Sequence, residues 1–251
     1  MFTIHTFWLP KAGSTDAEYE DAYAIVSVPD AAGRMMLRAA VADGATEASF
    51  SGAWARVLVA AFVRTEAFDL GALPVLTAEW ETAVTAQTAA KTLSWYAEEK
   101  LQYGSFAALV GIVLLPDGTW RADAAGDSCV LHIRGSKLLK AFPIERAADF
   151  DNRPALIATQ SGRNAGVTVQ TCVGEWRKGD QLFLLSDALA QFVLGHPESI
   201  GKLTKLKPDA FAAMIERLRA DKLCRNDDVT FVRVRADAAP HTVASTPSDE
   251  T

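Results

Sequence analysis

The stretch Ala40–Trp54, AVADGATEASFSGAW, decides how the rest of the chain is read. An apolar run closes on Asp43-Gly44, and a loop of small and hydroxyl-bearing residues leads from there into a segment with helical spacing. Strand-like runs commonly end in Gly, Asn or Asp because turns need those residues, so this pair taken alone is explained by a turn. Recurrence changes the reading. Glu20-Asp21, Gly126-Asp127-Ser128, Ser186-Asp187 and Asn226-Asp227-Asp228 each place a carboxylate at the border of an apolar segment. Repetition at five borders predicts that the acids converge at one edge of a packed core.

The bulk properties narrow the field. With 251 residues, 49% of them hydrophobic, the chain can bury a sizeable core and sits near the upper size of one domain. Acidic residues outnumber basic ones by 31 to 25, a formal charge of -6, which argues against general attraction to nucleic acid or to an anionic membrane. Cys129, Cys172 and Cys224 are odd in number and widely spaced, with no Cys/His ligand pattern. They read as reduced core thiols of a cytoplasmic protein. The N-terminus lacks a basic start followed by a long apolar region, and no stretch reaches the length of a membrane span.

Outward from the opening stretch, Ala22–Val28 and Met35–Ala42 read as a hairpin around Pro29–Arg34, a geometry that allows Asp21 and Asp43 to form a paired acidic site. Phe2–Leu9 alternates as a strand and stops at Pro10, and its lone His5 reads as a packed side chain. From Ser49 the period becomes helical, with Trp54, Val57, Leu58, Ala61 and Phe62 on one face and Ser49 or Ser51 as cap. A second helix is predicted over Pro74–Gln102. Runs at Phe106–Leu115, Trp120–Ala125, Val130–Ile133 and Leu138–Phe142, separated by short turns, predict an antiparallel meander. Residues 143–170 are irregular, with only Ala155–Thr159 strand-like, as in a lid or binding loop. Strands at Val167–Val173, Gln181–Leu185 and Val229–Val234 and helices at Ala188–Leu194 and Pro208–Asp221 complete the pattern. Residues 1–235 are expected to form one domain, and residues 236–251 a disordered tail.

Taken in order, these fragments resemble the metal-dependent Ser/Thr protein phosphatases of type 2C, in their bacterial form, over residues 11–235. The likeness rests on Glu20-Asp21-Ala22, Val41-Ala42-Asp43-Gly44, Gly104-Ser105, Gly126-Asp127-Ser128, Ser186-Asp187-Ala188 and Asp227-Asp228-Val229-Thr230. The resemblance implies an α+β fold, a four-layer αββα sandwich of two antiparallel β-sheets flanked by helix pairs. It implies two Mg²⁺ or Mn²⁺ ions, with Asp43 bridging them, the Gly44 carbonyl adding a ligand and Asp187 and Asp227 completing one shell. Glu20 and Asp21 would act directly or through water, and Asp127 would help hold a third, weaker ion. An all-oxygen donor set without histidine or thiol suits these hard cations. Such a pair can activate a shared water for in-line attack on a phosphate monoester. Asp43, Asp187 and Asp227 would therefore be the catalytic residues. The implied partners are a phosphoprotein substrate and a cognate Ser/Thr kinase, with no nucleic acid or membrane, and a monomer is expected.

The sequence also departs from the family pattern. Asp16 stands where the family carries a phosphate-binding arginine, four residues before the Glu of Glu-Asp, and Lys11, Arg153 or Arg163 are the candidate replacements. Ala188 replaces a glycine after Asp187, and Cys129 an arginine after Gly-Asp-Ser. These changes keep a second reading open, a non-catalytic phosphoprotein-binding module on the same fold.

Overall fold

The structure is a computed structural model that describes residues 2–45, 50–65, 67–89, 101, 103–151 and 153–240. Strands β1 (Phe2–Leu9), β2 (Ala22–Pro29) and β3 (Met35–Gly44) precede helices α1 (Ser51–Thr65) and α2 (Leu73–Thr88). Next come β4 (Phe106–Leu114), β5 (Thr119–Ala125), β6 (Cys129–Arg134), β7 (Lys137–Phe142), β8 (Ile157–Ala158), β9 (Gln170–Glu175) and β10 (Gln181–Leu185). Helices α3 (Asp187–Gly195) and α4 (Pro208–Ala220) and strand β11 (Val229–Ala236) finish the chain.

The strands form two antiparallel sheets, ordered β1-β11-β10-β6-β7 and β2-β3-β4-β5-β9, with β8 added to β4. The alternation of β3 explains the layering. Leu37, Ala39 and Val41 point to an inter-sheet core shared with Val110, Ile112, Leu182, Leu184, Val232 and Val234. Met36, Ala40 and Ala42 point the other way, onto α1 and α2, against Trp54, Leu58, Phe62 and Trp80. A strand buried on both faces reads as a continuous apolar run, as this one does. The outer face of the first sheet is covered by α3 and α4, where Phe7, Phe183 and Phe231 pack with Leu189, Phe192, Phe211 and Ile215. The result is the helix–sheet–sheet–helix order implied by the family resemblance.

Several expectations are corrected. The four runs between Phe106 and Phe142 are not one meander: β4 pairs with β5 and β6 with β7, but β5 and β6 belong to different sheets. The chain crosses between the sheets at Gly126-Asp127-Ser128. Strand β9 begins at Gln170 rather than Val167, and β11 extends through Ala236, one residue into the expected tail, where Ala236 pairs with Phe2. The second helix starts at Leu73 and is seen to Thr88, and the remainder of its expected span lies largely outside the described residues, as does the tail beyond Pro240. All three cysteines are buried and none forms a disulfide. His5 stacks beside Phe7 on β1, and burial lowers its pKa.

Candidate functional site

Register places the acids. Ala22 pairs with Ala42, so Asp21 enters the second sheet next to the point where β3 ends in Asp43-Gly44. In the first sheet Leu185 lies opposite both Phe231 and Cys129. The segments just beyond those residues, Ser186-Asp187, Asp227-Asp228 and Asp127-Ser128, therefore emerge at one end of the sandwich. Two glycines make the approach possible. A Cβ on Gly44 would fall 2.6 Å from the Glu20 carbonyl oxygen and 2.9 Å from the Ser51 carbonyl carbon. Gly126 has φ +93°, and a Cβ there would meet Ala108 at 2.6 Å.

Asp43, Gly44, Asp127, Asp187 and Asp227 line one cavity of about 450 Å³, together with Asp151, Arg153 and Arg225. The Asp187 backbone N–H, at the start of α3, points at Asp43 Oδ2 from 3.5 Å. Asp21 lies beneath this cavity, 2% exposed, with Oδ2 accepting from the Thr230 hydroxyl at 2.7 Å. Glu20 is not brought to the cavity. Its carboxylate accepts from Ser51 Oγ at 2.7 Å and from Lys11 Nζ at 3.3 Å, on the wall of a neighbouring cleft.

The charges in this cavity are poorly compensated. Burial pushes the Asp21 carboxyl up to about 8, helped by Asp228 and Asp187. Asp43 is raised well above the ordinary carboxylate range by burial and then by Asp21, Asp187, Asp127 and Asp227. Burial likewise lifts Asp127 to about 7, with Asp187 and Asp227 adding to it, and Asp227 is raised by burial and Asp187. Asp180, buried elsewhere, behaves oppositely: burial is outweighed by hydrogen bonds from Arg134, His132 and the Arg177 N–H, and its pKa is lowered. A structural buried carboxylate is normally paired in this way. Among the described residues no cationic side chain is hydrogen-bonded to Asp43, Asp127 or Asp227, which share one cavity, the pattern of a functional site.

The donor set fits hard divalent cations: carboxylates plus a backbone carbonyl position, with the buried Oδ1 atoms of Asp21 and Asp187 lacking a hydrogen-bond partner. The side chains are not drawn together as an ion would draw them. Among the described residues no three Asp, Glu, His or Cys groups stand close enough to hold a metal as placed. Instead Arg225 reaches in and makes a very short ion pair with Asp187 Oδ2.

Of the three candidate replacements for the missing arginine, Arg153 lines the acid cavity. Lys11 is engaged with Glu20, and Arg163 stacks 3.8 Å above the Tyr103 ring centroid. Arg225 is a cavity residue that the sequence reading misses, although a cation two residues before Asp227 is a readable signal. The role of Asp228 is missed as well. It stands at the family's asparagine position, and its two oxygens accept from the Lys11 and Glu20 backbone N–H groups at 2.8 and 2.7 Å, tying the loop before β2 to β11.

The sequence profile of the protein phosphatase 2C family matches residues 13–229. Among solved structures, the serine/threonine phosphatase PstP/Ppp of Mycobacterium tuberculosis is similar with a TM-score of 0.58 and 18% identity, over 94% of this chain and 99% of that one. The serine/threonine phosphatase of S. agalactiae is similar with a TM-score of 0.57 and 18% identity, over 94% and 100% of the two chains. The catalytic domain of PstP in complex with two manganese ions is similar with a TM-score of 0.55 and 18% identity, over 94% and 99%. No curated protein matches the sequence.

Proposed function

The chain belongs to the protein phosphatase 2C family, and from that premise we propose that it hydrolyses phosphoserine and phosphothreonine esters in proteins, in the cytoplasm and opposite a Ser/Thr kinase. The observation that carries this reading is the gathering of Asp43, Asp127, Asp187 and Asp227 on one cavity, where burial and mutual repulsion raise the pKa of Asp43, Asp127 and Asp227.

In this proposal Asp43, the Gly44 carbonyl, Asp187 and Asp227 would hold two Mg²⁺ or Mn²⁺ ions, Asp21 and Glu20 would act through water, and Asp127 would serve a third. Bound there, such ions polarise phosphoryl oxygens and lower the pKa of an attacking water. The chain's own residues do the rest. Arg153 and Arg225 border the same cavity and offer planar donors to phosphoryl oxygens, replacing the arginine that Asp16 displaces. Arg219 donates to the Asp227 carbonyl at 2.6 Å and to the Pro10 carbonyl at 2.9 Å, which fixes the loop that presents Asp227. Thr230 and Asp228 hold Asp21 and the Glu20 backbone in place.

Hydrolysis of p-nitrophenyl phosphate and of a phosphoserine peptide, with and without Mn²⁺, tests this reading. The expected outcome is Mn²⁺-dependent turnover that falls by about 10³-fold or more in Asp43→Asn, since metal and charge positioning supply most of the acceleration. Activity indifferent to metal or to this substitution overturns it. A second reading, a phosphoprotein-binding module without turnover, draws on the Arg225–Asp187 ion pair and on Asp16. Any turnover abolished by Asp187→Ala rejects that alternative.

A further inference from the structure

Beside the acid cavity lies a second cleft of about 510 Å³, formed by α3, the end of α4 and the turn that follows it. The two hollows meet. Arg225 lines both, and consecutive residues of α3 divide them, Asp187 facing the first and Ala188 the second. The charge of this cleft is opposite to that of its neighbour. His196, Arg219, Lys222 and Arg225 contribute to its wall, and no Asp or Glu does, in a chain whose net charge is -6. Arg219 is bound to the carbonyls of Pro10 and Asp227, which are neutral acceptors, so its charge is fixed in place with no carboxylate hydrogen-bonded to it among the described residues. Among the described residues neither Arg219 nor Lys222 is in an ion pair.

The backbone at Lys222 adds a second, independent observation. Helix α4 ends in a paired closure, with the Lys222 N–H bonded to the Arg219 carbonyl at 3.0 Å and the Leu223 N–H to the Leu218 carbonyl at 2.9 Å. The residue at the turn of such a closure takes a left-handed conformation and is ordinarily glycine. Here it is a lysine with φ +56°, exposed on the cleft wall. Strained backbone positions cluster at functional sites, and this one carries a cation on the cleft wall.

We propose that this basic cleft is a subsite for anionic residues flanking the phosphoserine or phosphothreonine, so that the substrates are phosphorylated segments within acidic sequence. The inference rests on the phosphatase reading given above. Arg225 stands at the junction, between the scissile phosphate and the flanking acids, and Lys222 and Arg219 extend the positive wall away from it.

The test uses the whole protein with Mn²⁺ and two synthetic peptides, each carrying one phosphoserine, flanked on both sides by glutamates in one and by glutamines in the other. Wild type is expected to favour the glutamate peptide by about tenfold in kcat/KM, the order for two partly exposed ion pairs. Lys222→Gly is expected to lose most of that preference while its thermal midpoint rises by about 2–4 °C, because the backbone strain is relieved. Lys222→Glu keeps the strained backbone, so the preference is expected to vanish without the gain in midpoint. Equal use of both peptides by wild type, or a preference that survives both substitutions, overturns the subsite and leaves the phosphatase activity standing. If neither peptide is cleaved, the phosphatase reading fails, and fluorescence anisotropy of the uncleaved peptides still decides whether the cleft selects acidic flanks.

Discussion

Asp127 offers a direct measure of how poorly the acid cavity balances its own charges. The side chain is 5% exposed, and burial together with Asp187 and Asp227 lifts its pKa from 3.8 to about 7. Between those two values the folded chain keeps a proton that the unfolded chain has lost. This group therefore supports the fold fully below about pH 4, and its contribution drains away as the pH rises through about 7. The rise from 3.8 to about 7 is worth about 4 kcal/mol at the limit, and about 2–3 kcal/mol of that falls between about pH 4.5 and pH 8. Asp127→Asn removes the titration while keeping the shape. In EDTA, the stability of the variant relative to wild type is expected to grow by about 2–3 kcal/mol over that pH interval, or about 5–10 °C in thermal midpoint for a chain of this size. Denaturant melts of both proteins at the two pH values supply the difference, which cancels the titrating groups that do not interact with Asp127. Saturating Mn²⁺ is expected to narrow the gap by stabilising wild type preferentially, since a ligand at a hundredfold its Kd contributes about 2.7 kcal/mol. A relative stability that is flat with pH, or that grows toward acid, refutes the claim that Asp127 is held in an uncompensated cluster.

Two further outcomes follow from contacts around the same cavity. Gly44→Ala would place a methyl 2.6 Å from the Glu20 carbonyl oxygen, against backbone on both sides, so a loss of about 1–3 kcal/mol is expected on chemical denaturation; an unchanged midpoint would show that the β2 entry and α1 start can move apart freely. Arg225→Gln releases Asp187 from its ion pair, and because Arg225 is 43% exposed the gain is modest, about fivefold tighter Mn²⁺ binding by calorimetry together with a raised KM for phosphopeptide. Unaltered metal affinity would show that the arginine does not compete with cations for Asp187.

The sequence carries the outline of the fold because the relevant signals are local. Met35–Ala42 is apolar at every position but Arg38, which is what burial between a sheet and a helix layer requires. Each site aspartate stands at an element end because register, not side-chain preference, delivers it there. What the sequence hides is non-local. The turn at Gly126-Asp127-Ser128 looks like any hairpin turn, and nothing in its residues says that the chain changes sheets there. Arg225 resembles a solvated charge until the fold sets it against Asp187, and Glu20 resembles a cavity acid until Ser51 and Lys11 are found holding it. Asp228 reads as one more carboxylate in an acidic run, yet its work is structural, because both oxygens are consumed by backbone N–H groups.

The same contrast bears on why so many acids can stand together at all. Like charges at close range repel, and the residues presenting them have no internal reason to stay close. What holds them is the inter-sheet core behind them, where Val41, Val110, Leu184 and Val232 are fully buried and fix the register of the strands on whose ends the acids sit. Arg225, paired with Asp187, and the raised pKa of Asp127, which favours its neutral form, both lessen the repulsion among the acids. Both act on acids that the proposed function assigns to divalent ions, and bound ions would take over that role. In the proposed reading, cations at Asp187 would release Arg225, which would then stand at the junction of the acid cavity and a basic cleft with no carboxylate of its own, where a phosphate flanked by acids would match its charge.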